Sequence, residues 1–324
     1  MSANYTGSPA AGAPLLDRRR FIAISAGLAA GLAATLLGGP AHAAGVTRWR
    51  GTALGAGASI TLRHSEAERI VAACVAEIDR LEDIFSLHRP GSALSRLNAA
   101  GRLGEPPFEM LELLGLCGAI NAGTAGLFDP TVQPLWAAYA EAHAAGAPLT
   151  DRRIEAARAR VGWSGVEVGA RAVRFRRSGM AITLNGIAQG FIADRVVALL
   201  RAEGLTDVLV DTGELHALGF HPGGSPWRVT LDDGLGRVGE VALTDMALAS
   251  SAPLGTVFDA AGRTGHILHP VTGRPAAPGW RLVSVLAPSA ALADGLTTAM
   301  CLMTRGEIDR TLARFPTVRL AYLG

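Results

Sequence analysis

The 324-residue sequence lacks the patterns that mark several common classes of protein. Its cysteines, Cys74, Cys117 and Cys301, have no CxxC spacing and no paired histidines, which argues against a structural zinc site. We expect three buried thiols, with one disulfide and one leftover cysteine as the alternative. The net charge is only +2 and no basic run follows the amino-terminal segment, so nucleic acid is excluded as the main partner. No GxSxG elbow occurs, which argues against a serine hydrolase of that type.

An export signal is present at the amino terminus. Arg18-Arg19-Arg20-Phe21 precedes a short apolar run at residues 23–37, and Ala41-His42-Ala43 supplies a small-x-small cleavage site. Because glycines interrupt the run and a cleavage site follows it, we expect residues 1–43 to be a cleaved twin-arginine signal. The mature protein is therefore expected in the periplasm. An uncleaved signal that acts as a membrane anchor is the alternative.

The mature chain, residues 44–324, is expected to form one domain or two closely packed subdomains. Ser65 and Glu68 form a capping-box pattern, and apolar residues then recur at three- and four-residue steps as far as Phe85. This pattern predicts a long amphipathic helix. The alanine-rich segment at 140–160 is expected to be a peripheral helical insertion.

Short strands alternate with glycine and charged turns in the second half of the chain. They are predicted at residues 166–168, 173–176, 181–184, 207–210, 215–220, 227–231, 241–243 and 282–286. The sequence from Asn185 to Gly190 interrupts them and begins a helix. Such a junction can offer backbone N–H groups to a phosphate, although here it is neither a GxGxxG fingerprint nor a P-loop, and a tight turn is the alternative. The order of elements predicts an α+β fold with mixed or antiparallel sheets and flanking helices.

Two groups of side chains suit phosphate and magnesium chemistry. Asp294 and Thr298 are four residues apart, so a helix that begins after Pro288 would place both on one face. Magnesium prefers such oxygen ligands. The alternative is that Asp294 interacts favourably with the helix dipole and that the Thr298 hydroxyl faces the core. His266 lies in a turn-rich loop, where it is either a general base or a histidine bonded to the backbone.

Several blocks of sequence, taken in order, resemble the ApbE-type FAD:protein FMN transferases. The matching blocks are Phe85-Ser86, Ser95-Arg96-Leu97-Asn98, Gly126-Leu127-Phe128-Asp129-Pro130-Thr131-Val132, Leu184-Asn185-Gly186-Ile187-Ala188-Gln189-Gly190-Phe191 with Asp194, Asp211-Thr212-Gly213-Glu214, Trp227-Arg228-Val229, His266-Ile267 with Pro270 and Thr272-Gly273, and Ala293-Asp294 with Thr298. They extend across nearly the whole mature chain.

The resemblance implies a fold with a central cleft for FAD and Mg²⁺. An enzyme of this kind cleaves FAD, attaches FMN through a phosphoester bond to a Thr or Ser of an acceptor protein, and releases AMP. It implies that Asp294, Thr298 and the backbone carbonyl of Gly186 bind the metal and that His266 acts on the acceptor hydroxyl. The residues that it implies for FAD are His88, Leu127, Phe128, Asp129, Thr183, Gln189 and Ile267.

The acceptor that the resemblance implies is a flavin-bearing subunit of a periplasm-facing redox system. Contact with a membrane is then expected only through a membrane-bound acceptor or an uncleaved signal. Two other functions use the same residues. One is a magnesium-dependent FAD pyrophosphatase that releases FMN and AMP, and the other is a non-catalytic periplasmic protein that binds FAD or assists assembly.

Some residues depart from the pattern of the family. Thr183 stands where an Asp is usual, Gln189 where a Lys or another charged residue is common, and His269 where an Asp precedes the proline. His88 stands where a Tyr often packs against the flavin nucleotide, and a histidine would stack there more weakly. These changes predict an altered affinity for FAD, a different acceptor or slower turnover.

Overall fold

The computed structural model describes residues 46–259, 261–277 and 279–324. The predicted export signal at residues 1–43 lies outside these ranges, so its cleavage stays a prediction. Within them, no helix has both the length and the apolar character needed to cross a membrane.

The described residues alternate between helices and short strands. The helices are α1 (Ala67–Phe85), α2 (Ala93–Ala100), α3 (Phe108–Gly123), α4 (Gln133–Ala144), α5 (Asp151–Arg158), α6 (Ala188–Ala202), α7 (Ala290–Met300) and α8 (Arg305–Leu312). The strands are β1 (Val46–Ala53), β2 (Ala56–Arg63), β3 (Arg102–Gly104), β4 (Val166–Gly169), β5 (Ala172–Phe175), β6 (Val208–Asp211), β7 (Leu215–Leu218), β8 (Trp227–Asp232), β9 (Arg237–Leu243), β10 (Ala247–Ser251), β11 (Val283–Ala287) and β12 (Arg319–Leu323).

A seven-stranded sheet with the order β1-β2-β6-β7-β10-β11-β12 organises the fold. All neighbouring strands in it are antiparallel. Two smaller sheets, β3-β5-β4 and β8-β9, share no strand with the large sheet. The α+β class predicted from the sequence is confirmed, whereas β1, β2, β3, β10 and β12 were not predicted.

Helices α1, α6 and α7 cover one face of the large sheet and form the main core with it. Helix α1 has the predicted apolar stripe and ends at Phe85 as expected. The predicted capping box at Ser65 is wrong, because the helix begins at Ala67 and its N-cap, Glu66, makes no side-chain cap bond. The Glu66 N–H instead donates to Nδ1 of His64 over 3.0 Å, which gives the chain a different turn into the helix.

The β8–β9 hairpin covers the opposite face of the sheet. Alternate residues of the strands separate the two layers: Leu248 belongs to the hairpin core, whereas Ala247 and Ala249 belong to the main core. The turn of this hairpin contains Gly234-Leu235-Gly236-Arg237-Val238-Gly239, which matches the letters of the GxGxxG fingerprint. No helix follows it, so the match has none of the structural context that binds a dinucleotide.

Helices α4 and α5 form a third, smaller core. Tyr139 stacks on Phe258, with ring centroids 5.4 Å apart, and Leu135, Ile154 and Leu268 are buried beside them. The segment expected to be a peripheral insertion is therefore helical as predicted, but it packs against the loop that contains His266.

The strand predicted at residues 181–184 is wrong. This segment is irregular, and the side-chain amide of Asn98 pairs with it in place of a neighbouring strand. Asn98 donates to the carbonyl oxygen of Ile182 and accepts from its N–H, both over 2.8 Å. The N–H of Thr183 donates to the carbonyl oxygen of Pro130 over 2.8 Å.

All three cysteines, Cys74, Cys117 and Cys301, are buried and free, as predicted. Burial raises the pKa of the Cys74 thiol to about 12 and raises the pKa values of Cys117 and Cys301 as well.

Candidate functional site

The junction between α6 and α7 brings the predicted metal residues together. Gly190 lies so close to the start of α7 that a Cβ at this position would be 2.4 Å from the carbonyl oxygen of Ala290. The Gly190 N–H donates to Oδ2 of Asp294 over 3.4 Å. In the loop before α6, a Cβ on Gly186 would be 2.9 Å from Oγ1 of Thr298. Gly186, Asp294 and Thr298 therefore converge, although more than a hundred residues separate the glycine from the other two.

Asp294 is almost completely buried, with 4% of its surface exposed. Burial raises the pKa of Asp294 to about 8, and the Asp194 carboxylate adds to the effect, whereas the hydrogen bond from Gly190 opposes it. No cation in the described part of the chain offsets the cost of burying this charge. A carboxylate without a positive partner in the interior is costly, so Asp294 either keeps its proton, as its raised pKa indicates, or binds a metal.

The oxygen atoms at this junction fit magnesium. They comprise the Asp294 carboxylate, the Thr298 hydroxyl and the Gly186 carbonyl, all of them hard ligands. In the part of the chain that the structure describes, no group of three or more His, Cys, Asp and Glu side chains could hold an ion. A cation here would therefore complete its shell with water or with phosphate oxygens of a substrate, as magnesium commonly does.

Glu214 is a second buried acid, and the sequence did not identify it as a site residue. Its Oε2 accepts from the N–H of Ser250 over 3.2 Å. Burial raises the pKa of Glu214 well above its usual range, and repulsion from Asp294 and Asp211 raises it further. The available signal in the sequence was the position of this acid immediately before a predicted strand. In the structure that strand, Leu215–Leu218, is completely buried. Glu214 therefore lies close enough to Asp294 for each acid to disfavour ionisation of the other.

Asp194 holds α7 in place. Its carboxylate accepts from Oγ of Ser289 and the N–H of Ala290, both over 2.7 Å, and from the N–H of Ala291 over 3.0 Å. The Nδ1 atom of His216 lies 2.7 Å from the same carboxylate. Asp194 therefore caps the amino terminus of the helix that contains Asp294. The family block included Asp194, but nothing in the sequence indicated its capping role.

The glycine-rich junction before α6 uses most of its N–H groups within the protein. Ile187 and Ala188 both donate to the carbonyl oxygen of Leu184, and Gly190 donates to Asp294. This arrangement is a tight turn, which was the alternative to a phosphate cradle. The junction contributes to the site through its close approach to Thr298.

Thr183 and Gln189 flank this junction at its two ends. The Thr183 Oγ1 accepts from the N–H of Asn185 over 3.2 Å. The carbonyl oxygen of Gln189 accepts from Oγ1 of Thr212 over 2.8 Å, and its side-chain amide lies against Gly213. Both side chains therefore border the junction, and their contact with FAD stays a prediction. The whole chain contains no lysine, so arginine and histidine are its only cationic side chains.

The block Leu127-Phe128-Asp129 has strong contacts within the protein. One oxygen of Asp129 accepts from the N–H of Thr131 over 2.8 Å and from its hydroxyl over 2.6 Å, while the other accepts from the N–H of Trp163 over 3.0 Å. Burial raises the pKa of Asp129, against these hydrogen bonds. Asp129 thus has the capping role that was the alternative to ligand contact. Phe128 is buried in the main core.

A small cavity of about 120 Å³ lies between the end of α3 and α8, and Leu127 is part of its lining. Pockets that enclose a drug-sized ligand usually measure roughly 300–1,000 Å³. This cavity is therefore too small for FAD, and none of Gly186, Asp294 and Thr298 lines it.

His266 lies where two small hairpins of the 252–282 loop meet. Its N–H donates to the carbonyl oxygen of Thr256 over 3.0 Å, and its Nδ1 lies 3.0 Å from the same oxygen. The longer contact of 3.4 Å between Nδ1 and the N–H of Thr256 is weaker, so Nδ1 is assigned as the donor to the carbonyl. The next residue, Ile267, is buried in the main core, which fixes this end of the loop.

His88 is exposed in the turn after α1, where its N–H donates to Oγ of Ser86 over 3.1 Å. Stacking on the flavin nucleotide stays a prediction for this residue.

Comparison with known proteins agrees with the fold. The model of the ApbE family matches residues 54–321 of the chain. Among similar proteins, an FAD:protein FMN transferase of Vibrio cholerae is 31% identical over 244 residues, which cover 70% of this chain and 72% of the relative. The FAD:protein FMN transferase of Treponema pallidum is 31% identical over 274 residues, covering 76% and 74%.

Solved structures show the same architecture. The flavin transferase ApbE from Vibrio cholerae superposes with a TM-score of 0.75 at 23% identity, covering 86% of this chain and 93% of that one. The apo form of the Pseudomonas stutzeri flavinyl transferase ApbE gives a TM-score of 0.72 at 26% identity, covering 86% and 90%. The fold and these relatives define an enzyme of the transferase class. The chain belongs to the ApbE family.

Proposed function

We propose that this protein is a magnesium-dependent FAD:protein FMN transferase, which links FMN through a phosphoester bond to a Thr or Ser of an acceptor protein and releases AMP. The observation that carries the proposal is the convergence of Gly186, Asp294 and Thr298 around a buried carboxylate with no positive partner among the described residues. The names of the relatives support the same reaction.

Three oxygens would hold the ion: a carboxylate oxygen of Asp294, Oγ1 of Thr298 and the carbonyl oxygen of Gly186. Magnesium bound there would neutralise charge on the pyrophosphate of FAD. Asp294 must lose its proton before it can act as a ligand, and a bound cation would favour the ionised forms of both Asp294 and Glu214. Asp194 keeps α7 fixed while Asp294 and Thr298 remain on its inner face.

The transfer step requires the acceptor hydroxyl to lose a proton. Its oxygen forms a bond to the phosphorus of the FMN phosphate, and the bond from that phosphorus to the bridging oxygen breaks. AMP leaves with the bridging oxygen. Because Nδ1 of His266 donates to Thr256, the neutral ring has its lone pair on Nε2, which can accept the hydroxyl proton.

Incubation of the purified protein with FAD, Mg²⁺ and a candidate acceptor tests the reaction. The candidate is a periplasmic redox subunit encoded beside this gene. We expect one FMN on the acceptor by intact mass and one AMP released for each FMN attached, with both products lost in Asp294→Asn. AMP released at the same rate without any labelled acceptor would identify a pyrophosphatase. Binding of FAD with no AMP at all would identify a non-catalytic protein.

We also propose that the enzyme works in the periplasm after export as a folded protein. The paired arginines and the Ala41-His42-Ala43 site support this proposal. Replacement of Arg18 and Arg19 by lysine should retain the protein in the cytoplasm, and cell fractionation would detect the change. Unchanged export of this variant would argue against the twin-arginine route.

A further inference from the structure

The turn that follows His266 is closed by the ring of a second histidine. Nδ1 of His269 accepts from the N–H of Val271 over 3.1 Å and from the N–H of Thr272 over 3.4 Å. The backbone completes the turn: His269 donates to the carbonyl oxygen of Arg274, and Gly273 donates to that of His269, both over 2.8 Å.

Both side-chain bonds require an unprotonated Nδ1. A lone pair on Nδ1 can accept N–H groups only when the ring is neutral and its proton is on Nε2. The same two bonds are those that an Asp or Asn side chain makes to the backbone two residues on. His269 stands where the family usually has an Asp, so the imidazole takes over the role of a carboxylate oxygen here.

The closed turn packs against α4 and α5. The hydroxyl of Tyr139 donates to the carbonyl oxygen of Gly273 over 3.2 Å. Gly273 has a φ of +68°, and a Cβ there would be 2.8 Å from Cγ2 of Ile154 and 3.1 Å from Cδ2 of Leu135. The Gly273 end of the turn therefore has little freedom as long as the turn stays closed.

The turn is the far end of the hairpin that has His266 at its base. Leu268 pairs with Pro275 across the hairpin, and the N–H of Ala276 donates to the carbonyl oxygen of Ile267 over 2.8 Å. His269 is thus three residues from His266 on the same side of this small hairpin. The turn and the backbone of His266 are therefore linked through the Leu268–Pro275 pair and the bond between Ala276 and Ile267.

We propose that His269 is a positioning residue: its neutral ring closes the turn and fixes His266 for transfer, and protonation opens the turn and slows transfer. The effect on transfer rests on the function proposed above. The effect on the turn does not depend on that function.

The charges around His269 come from three segments. Burial lowers the pKa of His269, and this effect outweighs the attraction of Glu307 on α8, which itself faces Arg310. Arg274, on the same turn, pairs with Asp151 of α5. Arg158 of α5 donates to the carbonyl oxygen of Val271. Because the pKa in the folded protein is below the unfolded value, the bonds at Nδ1 are complete above about pH 6.5 and are lost as the pH falls through the lowered pKa.

Hydrogen exchange and transfer rates test the proposal in three proteins: wild type, His269→Asn and His269→Ala. Asn keeps an acceptor at this position but does not titrate. In wild type, the protection of the Val271 and Thr272 amides, corrected for intrinsic rates, should fall about tenfold from about pH 7.5 to about pH 5, because two hydrogen bonds are lost. His269→Asn should keep constant protection, and His269→Ala should show low protection throughout.

The transfer rate should follow the same order. His269→Asn should match wild type within about twofold near pH 7.5 and lose the acid limb that belongs to His269, whereas His269→Ala should be about tenfold slower at every pH. The same protection and the same pH profile in wild type and His269→Asn would overturn the proposal. Absence of transfer in all three proteins, with pH-dependent protection in wild type alone, would contradict the proposed function and the effect on transfer but leave the closed turn.

Discussion

Gly190 of α6 and Ala290 of α7 are in backbone contact, with 2.4 Å between the carbonyl oxygen of Ala290 and the place where a Cβ of residue 190 would be. Only glycine permits this distance. The contact brings the first turn of α6 beside Asp294 and thereby makes the metal group possible.

Gly190→Ala should destabilise the protein and separate the two helices. Alanine is the better helix former by roughly 1 kcal/mol, but the clash is with rigid backbone, and overpacking of this kind costs about 1–3 kcal/mol or more. We expect a net loss of stability by urea denaturation, together with weaker Mg²⁺ binding. The matched control is Gly115→Ala in α3, where nothing lies within 4 Å of the added methyl group. Equal stability of the two variants would show that the helices separate without cost.

Asp294→Asn should abolish release of AMP from FAD while it preserves the fold. Asparagine has the same shape but no charge, and loss of a direct metal ligand should lower the rate by at least about 100-fold, the upper end of what supporting residues contribute. Release of AMP can be measured by chromatography, with circular dichroism as the check on folding. A variant that retains its rate would remove Asp294 from the metal site.

Without metal, the stability advantage of Asp294→Asn over wild type should grow with pH. The folded protein raises the pKa of Asp294 to about 8, so the group favours folding at acid pH and loses this contribution as the pH rises toward the raised value. The same proton must leave before Mg²⁺ binds, so affinity for Mg²⁺ in wild type should rise by up to about tenfold per pH unit below the raised pKa. Calorimetric titrations at several pH values measure this directly. Affinity that does not change with pH would mean that Asp294 is already ionised.

Asp194→Asn should act on stability first, in contrast to Asp294→Asn. The amide retains the shape of the carboxylate but presents hydrogens to Ser289, Ala290 or Ala291, all of which donate to Asp194. Bonds to a charged acceptor contribute about 1.5–3 kcal/mol each, so the loss should be at least about 2 kcal/mol in chemical denaturation. If the variant proved as stable as wild type, the cap on α7 would be of no consequence.

His266→Ala should reduce transfer of FMN more than it reduces affinity for FAD. General-base assistance typically contributes about 100- to 10,000-fold to a rate, and a loss in this range is expected in the transfer assay. Affinity for FAD, followed by flavin fluorescence, should change by less than about tenfold. Equal losses in both measurements would instead indicate that His266 positions the ligand.

Local patterns in the sequence predicted the helices well. The apolar steps that end at Phe85 and the four-residue spacing of Asp294 and Thr298 depend only on helical geometry, and α1 and α7 follow them. The segment at residues 181–184 has the composition of a strand, yet Asn98 is its hydrogen-bonding partner. Such a pairing between distant segments has no signature in local periodicity.

The site was predictable only in part for the same reason. The order of the family blocks indicated Gly186, Asp294 and Thr298, and the structure brings these residues together. The burial of Glu214 beside Asp294 and the bonds of Asp194 to α7 depend on how α6, α7 and β7 pack. The hydrogen bonds from the N–H groups of Val271 and Thr272 to the ring of His269 were likewise not predictable, because no sequence motif describes them.

Because its three cysteine thiols are buried, the protein is expected to react little with thiol-specific labels. Their raised pKa values leave little thiolate to attack a maleimide near neutral pH. A cysteine introduced at Val271, whose side chain is 66% exposed at the tip of the turn, would react first. A spin label or fluorophore at that single position would report the opening of the turn directly, in the intact enzyme and during turnover.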